Sequence, residues 1–163
     1  MLVQFLGFFG AQFLGWWFDR NVGSLKIKKD ENKGPWLISE AVGMEFCGSF
    51  VFILFQVLQQ HKSTSVSANY GLNTFIIGTF YGALVVWGAP YTGGSFNPGY
   101  GLARTVVDSF DQHTVDSIRW VWIYVVLPFI AALFVWPVYE LIYQVAYKDT
   151  NNKQTDVYKT AEA

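Results

Sequence analysis

The sequence predicts an all-α integral membrane protein with four membrane-spanning helices and one re-entrant half-helix. Three observations carry that expectation. The composition is 52% hydrophobic and only 14% charged, where soluble domains average about 25% charged. Four apolar stretches approach the roughly 20 residues a helix needs to cross a bilayer. Between the third and fourth lies GGSFNPGYGLAR, Gly93 to Arg104, in a segment with no charged residue from Ser63 to Ala103. There Asn97 is a good N-cap and Pro98 a good first helical residue, so a helix starts where an uninterrupted span would be simpler.

The first span runs from Met1 to Phe18. It lacks the basic leading region of a secretory signal, so a membrane helix is the better reading. A polar, basic linker follows from Asp19 to Pro35. The second span runs from Trp36 to about Gln59 and contains Glu40 and Glu45. The loop QQHKSTSVSAN leads to the third, about Tyr70 to Gly88, and the last runs from Trp120 to about Val145. Residues 1–146 thus form one membrane domain, and 147–163 a polar tail, mobile or docked on a partner.

The remaining stretch, Ala89 to Asp116, holds Gly93, Gly94, Gly99 and Gly101 together with Pro90 and Pro98. A helix from Asn97 to Phe110 is about 20 Å long, too short for the bilayer core. Backbone that is not helical survives at membrane depth only where protein buries it or where it lines a wet cavity. The chain is therefore expected to dip in as a glycine-rich loop, start a half-helix at Asn97 and return to the side it left. Tryptophan favours the membrane interface, and this topology puts Trp16, Trp17, Trp36, Trp87, Trp120 and Trp122 all on one side.

Catalytic readings find little support. Cys47 is a lone cysteine, so no internal disulfide forms. His61 and His113 flank different spans and have no ligand-like spacing with Cys47. Ser49 has no base beside it, and no Lys-Ser or Lys-Thr follows GGSFNPG as a phosphate loop requires. No catalytic residue, metal or cofactor is expected, and a net charge of −1 leaves no footprint for nucleic acid.

Five stretches, in order, resemble the aquaporin or major intrinsic protein family. GGSFNPG is similar to its second Asn-Pro-Ala box, with Gly99 where alanine is usual. AQFLG (Ala11–Gly15) resembles the end of the third membrane helix, and EFCGSF (Glu45–Phe50) the Glu-x-x-Gly-Thr-Phe pattern of the fourth. The span ending at Gly88 stands where the fifth belongs, and WIYVVLPFIAA (Trp122–Ala132) resembles the sixth. The family has six spans and two half-helices in inverted repeats. The resemblance therefore implies a truncated aquaporin fold that begins near the third helix, without the first half-helix and its box.

The resemblance also assigns roles. Asn97, Pro98 and Gly99 form the pore motif: the half-helix points its positive dipole end at the pore centre, disfavouring cations and protons, and Asn97 donates to water in single file. A plainer role, capping a buried helix, is compatible with that one. The filter positions fall on Val85, Gly94 and Tyr100. Arginine is usual at the last and histidine common at the first in water-selective members. Tyr100 either narrows a path or packs against a partner where no path exists, and the second is the expectation. Arg104, about 10 Å further along the half-helix, is expected near the membrane surface. Glu45 lies some 13 Å inside its span, where a carboxylate is costly. Its family counterpart accepts hydrogen bonds from the re-entrant loop, so Glu45 is expected to be a structural buried carboxylate, with Gly93 to Phe96 as donors. Glu40 and Glu140 fall near span ends.

Basic residues slightly favour the side holding Arg20, Lys26, Lys28, Lys29, Lys33 and Arg119 as cytoplasmic or matrix-facing, over the side with Lys62, Lys148, Lys153 and Lys159. That is opposite to the family's orientation. The functional expectation is a non-catalytic structural or accessory subunit of a larger membrane complex that has lost channel activity. A respiratory-type assembly of the mitochondrial inner membrane is one setting. The alternative is a water or small neutral solute channel completed by a second polypeptide. The implied partners are the lipid bilayer and other membrane subunits.

Overall fold

The computed structural model describes residues 2–19, 29–30, 34–35, 38–62, 64–112 and 116–161. Its elements are α1 (Leu2–Asp19), β1 (Lys29–Asp30), β2 (Gly34–Pro35), α2 (Ile38–Gln60), α3 (Tyr70–Gly88), α4 (Pro98–Gln112), α5 (Asp116–Arg119) and α6 (Val121–Ala161). Apolar sequence with few breakers explains the long helices. Among the described residues, Ile38–Gln60, Tyr70–Gly88 and Val121–Val145 are long and apolar enough to cross a membrane. α1, with 18 residues, sits at the short end of the spanning range and carries Gln4 and Gln12. Within the linker, β1 and β2 form a small antiparallel pair, Lys29 opposite Pro35 and Asp30 opposite Gly34. α6 does not end at Tyr147 but continues as helix to Ala161.

Ring contacts set the helix directions. α2 and α6 run parallel: Ala41 packs with Ile123 and Leu127, Phe46 meets Phe134 edge-on at 5.7 Å, and His61 meets Tyr143 at 4.6 Å. α3 runs antiparallel to α2, with Phe52 4.8 Å from Tyr81 and Phe55 4.2 Å from Phe80. α1 and α4 are parallel, joined by Phe8–Tyr100 at 5.7 Å, Gln12–Arg104 at 3.1 Å and Trp16–Asp111 at 2.7 Å.

These contacts make α4 re-entrant. Ala41, at the start of α2, packs beside Trp120 and lines a cavity with Trp87. The end of α3 and the start of α6 therefore share one end of the molecule. Trp16, bonded to Asp111 in the last turn of α4, lies on that side too; Trp36 falls outside the described residues.

The interior is small and partly polar. Phe96, Ala103, Ile123, Tyr124 and Ala131 are buried, but so are Glu45, Ser49, Thr92, Ser95 and Thr105. The outward faces carry Phe18, Phe75, Leu133 and Trp136. That inversion suits a chain whose solvent is hydrocarbon, where polar groups need internal partners and apolar ones do not.

Candidate functional site

The site is the loop from Ala89 to Asn97 and the helix it starts. Asn97 caps α4 with its own side chain: Oδ1 accepts from the amides of Gly99 at 2.9 Å and Tyr100 at 3.3 Å. Pro98 follows, with no N–H to satisfy and φ already helical. The loop before it turns tightly, with positive φ at Gly93 (91°), Gly94 (64°) and Phe96 (47°). Glycine adopts such values freely; for phenylalanine they are costly.

Three helices hold that loop in place. From α2, Glu45 is fully buried. Its Oε1 accepts from the Thr92 hydroxyl at 2.5 Å and the Ser95 amide at 3.1 Å, and its Oε2 from the Phe96 amide at 3.0 Å. From α3, the Tyr81 hydroxyl donates to the Ser95 carbonyl at 2.9 Å. From α6, the Tyr124 hydroxyl donates to the Thr92 carbonyl at 3.1 Å. Glu45 lies seven residues into α2 and Tyr81 seven residues before the end of α3, so the loop descends about 10 Å. The carboxylate also lies beside the positive end of the α4 dipole.

Phe96 is the steric counterpart. Its ring fills a slot between α2 and α3, where a Cβ on Gly48 would meet it at 2.2 Å and one on Gly88 at 2.5 Å. The slot exists only because both positions are glycine. Burying that ring offsets the cost of the Phe96 backbone.

The three filter-equivalent residues divide into two groups. Val85 and Gly94 touch: a Cβ on Gly94 would lie 2.7 Å from the Val85 carbonyl. Tyr100 instead leans on α1, its ring against Phe8. Arg104 donates through Nη1 to the Tyr100 hydroxyl at 3.2 Å and to Gln12 Oε1 at 3.1 Å. Its side chain thus turns back along the half-helix toward those two groups. Helical side chains lean toward the N-terminus, so position i reaches i−4, and a neutral pair of acceptors is available there.

A family model described as "Major intrinsic protein" matches residues 1–139. The chain belongs to the major intrinsic protein family. The match includes α1 to α4 and all of α6 through Tyr139, and it supports an aquaporin-like channel or transporter rather than an enzyme. No curated protein and no solved structure matches the chain.

In this major intrinsic protein several residues of the site carry no sequence motif. Thr92 and Tyr81 are ordinary loop or membrane-helix residues until the fold brings them within 2.9 Å of a partner, and Tyr124, inside the Trp122–Ala132 stretch, shows no link to the loop until its hydroxyl comes within 3.1 Å of the Thr92 carbonyl. Gly48 had a readable signal: it stands three residues after Glu45, so both lie on one helix face. A small residue beside a buried carboxylate marks close approach by another segment.

Proposed function

We propose that this chain is a non-conducting structural subunit of a larger membrane assembly, a respiratory-type complex of the mitochondrial inner membrane being one setting. The observation that carries this reading is how Tyr100 and Arg104 are used. In a conducting filter a cationic donor faces the path. Here the guanidinium is engaged by Tyr100 and Gln12, and the Tyr100 ring rests on Phe8. Both groups bind the half-helix to α1. The loop is likewise held as a scaffold element, by Glu45 and two tyrosines.

A second reading, a water or small neutral solute channel completed by another polypeptide, has one observation in its favour. Asn97 uses its carbonyl oxygen as the cap, and among the described residues nothing accepts from its amide nitrogen, which leaves that donor for a passing solute.

Osmotic shrinkage of liposomes carrying the purified full chain separates the two. The scaffold reading expects the water permeability of empty liposomes. Permeability clearly above that level, altered by Tyr100→Ala, overturns it and supports the channel. Gly94 is unsuitable as a plugging position. A side chain there meets backbone at 2.7 Å and a φ of 64°, so it disturbs the loop itself.

A further inference from the structure

The end of the fold opposite the re-entrant loop holds a second cavity of about 970 Å³. It lies between the last turns of α2 and the first turns of α3, lined among others by Gln56, Gln59, Gln60, Lys62, Tyr70 and Asn73. On α2 the three glutamines share one face, and on α3 Tyr70 and Asn73 share another. Four amides and a tyrosine thus line the cavity where the two membrane helices meet the headgroup region.

Two independent features indicate what the cavity takes. The first is a positive pole. α3 begins here with no acidic residue in its first turn and with only the neutral side chain of Asn69 capping the Leu72 amide, so the dipole end carries no countercharge and favours an anion. Among the described residues Lys62 is the only charged side chain lining the cavity, and it is exposed. The second is Asn73, which is 8% exposed. Its Nδ2 donates to the Ser67 carbonyl at 2.7 Å and the Gln59 carbonyl at 3.4 Å. Its Oδ1 is buried with no partner among the described residues. A buried acceptor left alone is unfavourable, and a hydroxyl on a ligand satisfies it. Val66 and Ile77 add apolar lining.

We propose that this cavity binds an anionic phospholipid with a hydroxylated headgroup. The single charge of its phosphodiester sits between Lys62 and the start of α3. A headgroup hydroxyl donates to Asn73 Oδ1, and the acyl chains leave past Val66 and Ile77. A membrane lipid suits the place better than a free phosphate ester. Helix ends lie at the depth of headgroups, and the lining changes there from polar to apolar. This site is at the far end of α2 and α3 from the half-helix, so it stands whether or not the half-helix conducts.

The test uses the purified full chain in nanodiscs containing equal parts phosphatidylglycerol, phosphatidylethanol and phosphatidylcholine, with retained lipids counted by native mass spectrometry. Phosphatidylglycerol is expected to be retained over phosphatidylcholine by about fivefold, the effect of one lysine near an anionic group. It should also be retained over phosphatidylethanol, which carries the same charge without the hydroxyls. Lys62→Gln, an exposed change that leaves the fold intact, should bring the first ratio close to one. Equal retention of phosphatidylglycerol and phosphatidylcholine, or a ratio unmoved by Lys62→Gln, overturns the proposal. Equal retention of phosphatidylglycerol and phosphatidylethanol overturns the role given to Asn73. Displacement of the lipid by an equal concentration of soluble glycerol 3-phosphate identifies the ligand as a free phosphate ester and overturns the lipid.

Discussion

Two connections of the same length behave in opposite ways. Residues 61–69 join α2 to α3 and residues 89–97 join α3 to α4, nine residues each. The first stays at the edge of the fold and satisfies itself locally. The amides of Thr64 and Ser65 donate to the His61 carbonyl, the Thr64 hydroxyl to the Leu58 carbonyl, and the Val66 amide to Gln59 Oε1. The second turns inward, and its principal partners are remote: Glu45 is 47 to 51 residues away and Tyr124 is 32. Length does not separate the two loops. At a helix end water completes what neighbours leave undone. Inside the membrane every polar backbone group needs a protein partner or a wet cavity, and the chain supplies one from three different helices.

The largest expected effect lies on the inward loop. Glu45→Ala orphans the Thr92 hydroxyl and the Ser95 and Phe96 amides together. It should lower stability by about 3–5 kcal/mol, seen as a large fall in melting temperature in detergent. Glu45→Gln keeps an acceptor and should lose less. A neutral Glu45→Ala would mean the loop is not held by α2.

Next comes the slot for Phe96. Gly48→Ala places a methyl 2.2 Å from that ring, and overpacking of this kind costs about 1–3 kcal/mol. A double variant, Gly48→Ala with Phe96→Leu, should recover part of the loss if the contact is the cause; additive losses would refute the slot.

A smaller change tests α6 alone. Tyr124→Phe removes one buried hydrogen bond to the Thr92 carbonyl and should cost about 1 kcal/mol. Hydrogen exchange should rise at the 89–97 amides and not at 61–69. The smallest effect is expected at the outer connection. Asn69→Ala removes the cap on the Leu72 amide, an exposed site where water substitutes. A loss of about 0.5 kcal/mol is expected, with faster exchange confined to the first turn of α3. If Asn69→Ala destabilised the protein as much as Glu45→Ala, the contrast between the two loops would be wrong.

Much of the architecture could be read in advance because hydrocarbon leaves few options. The expected span from Tyr70 to Gly88 coincides with α3, and the span from about Trp120 to Val145 falls within α6. The second is described as α2 from Ile38, and Trp36, where it was expected to begin, lies outside the described residues. Asn97-Pro98 marks the start of α4, because capping chemistry is local and needs only neighbouring residues. That Glu45 stands well inside its helix was equally legible, being a matter of counting residues along the chain. Its partner Thr92 was not, nor was the turn of Arg104 back toward Tyr100, because both depend on which side chains another helix brings near.

The sequence by itself determined which segments are helical, where the half-helix starts, and that a carboxylate enters the apolar interior. Those properties follow from length, composition and adjacent residues. Only the tertiary structure decided that Phe96 lies between Gly48 and Gly88, that Tyr81 and Tyr124 hold the loop from opposite helices, and that Tyr100 and Arg104 are directed at α1. Each is a contact between residues at least 8 positions apart along the chain or supplied by separate elements. Such contacts form only when helices pack, and packing is decided by shapes and donor positions that no local window of sequence contains.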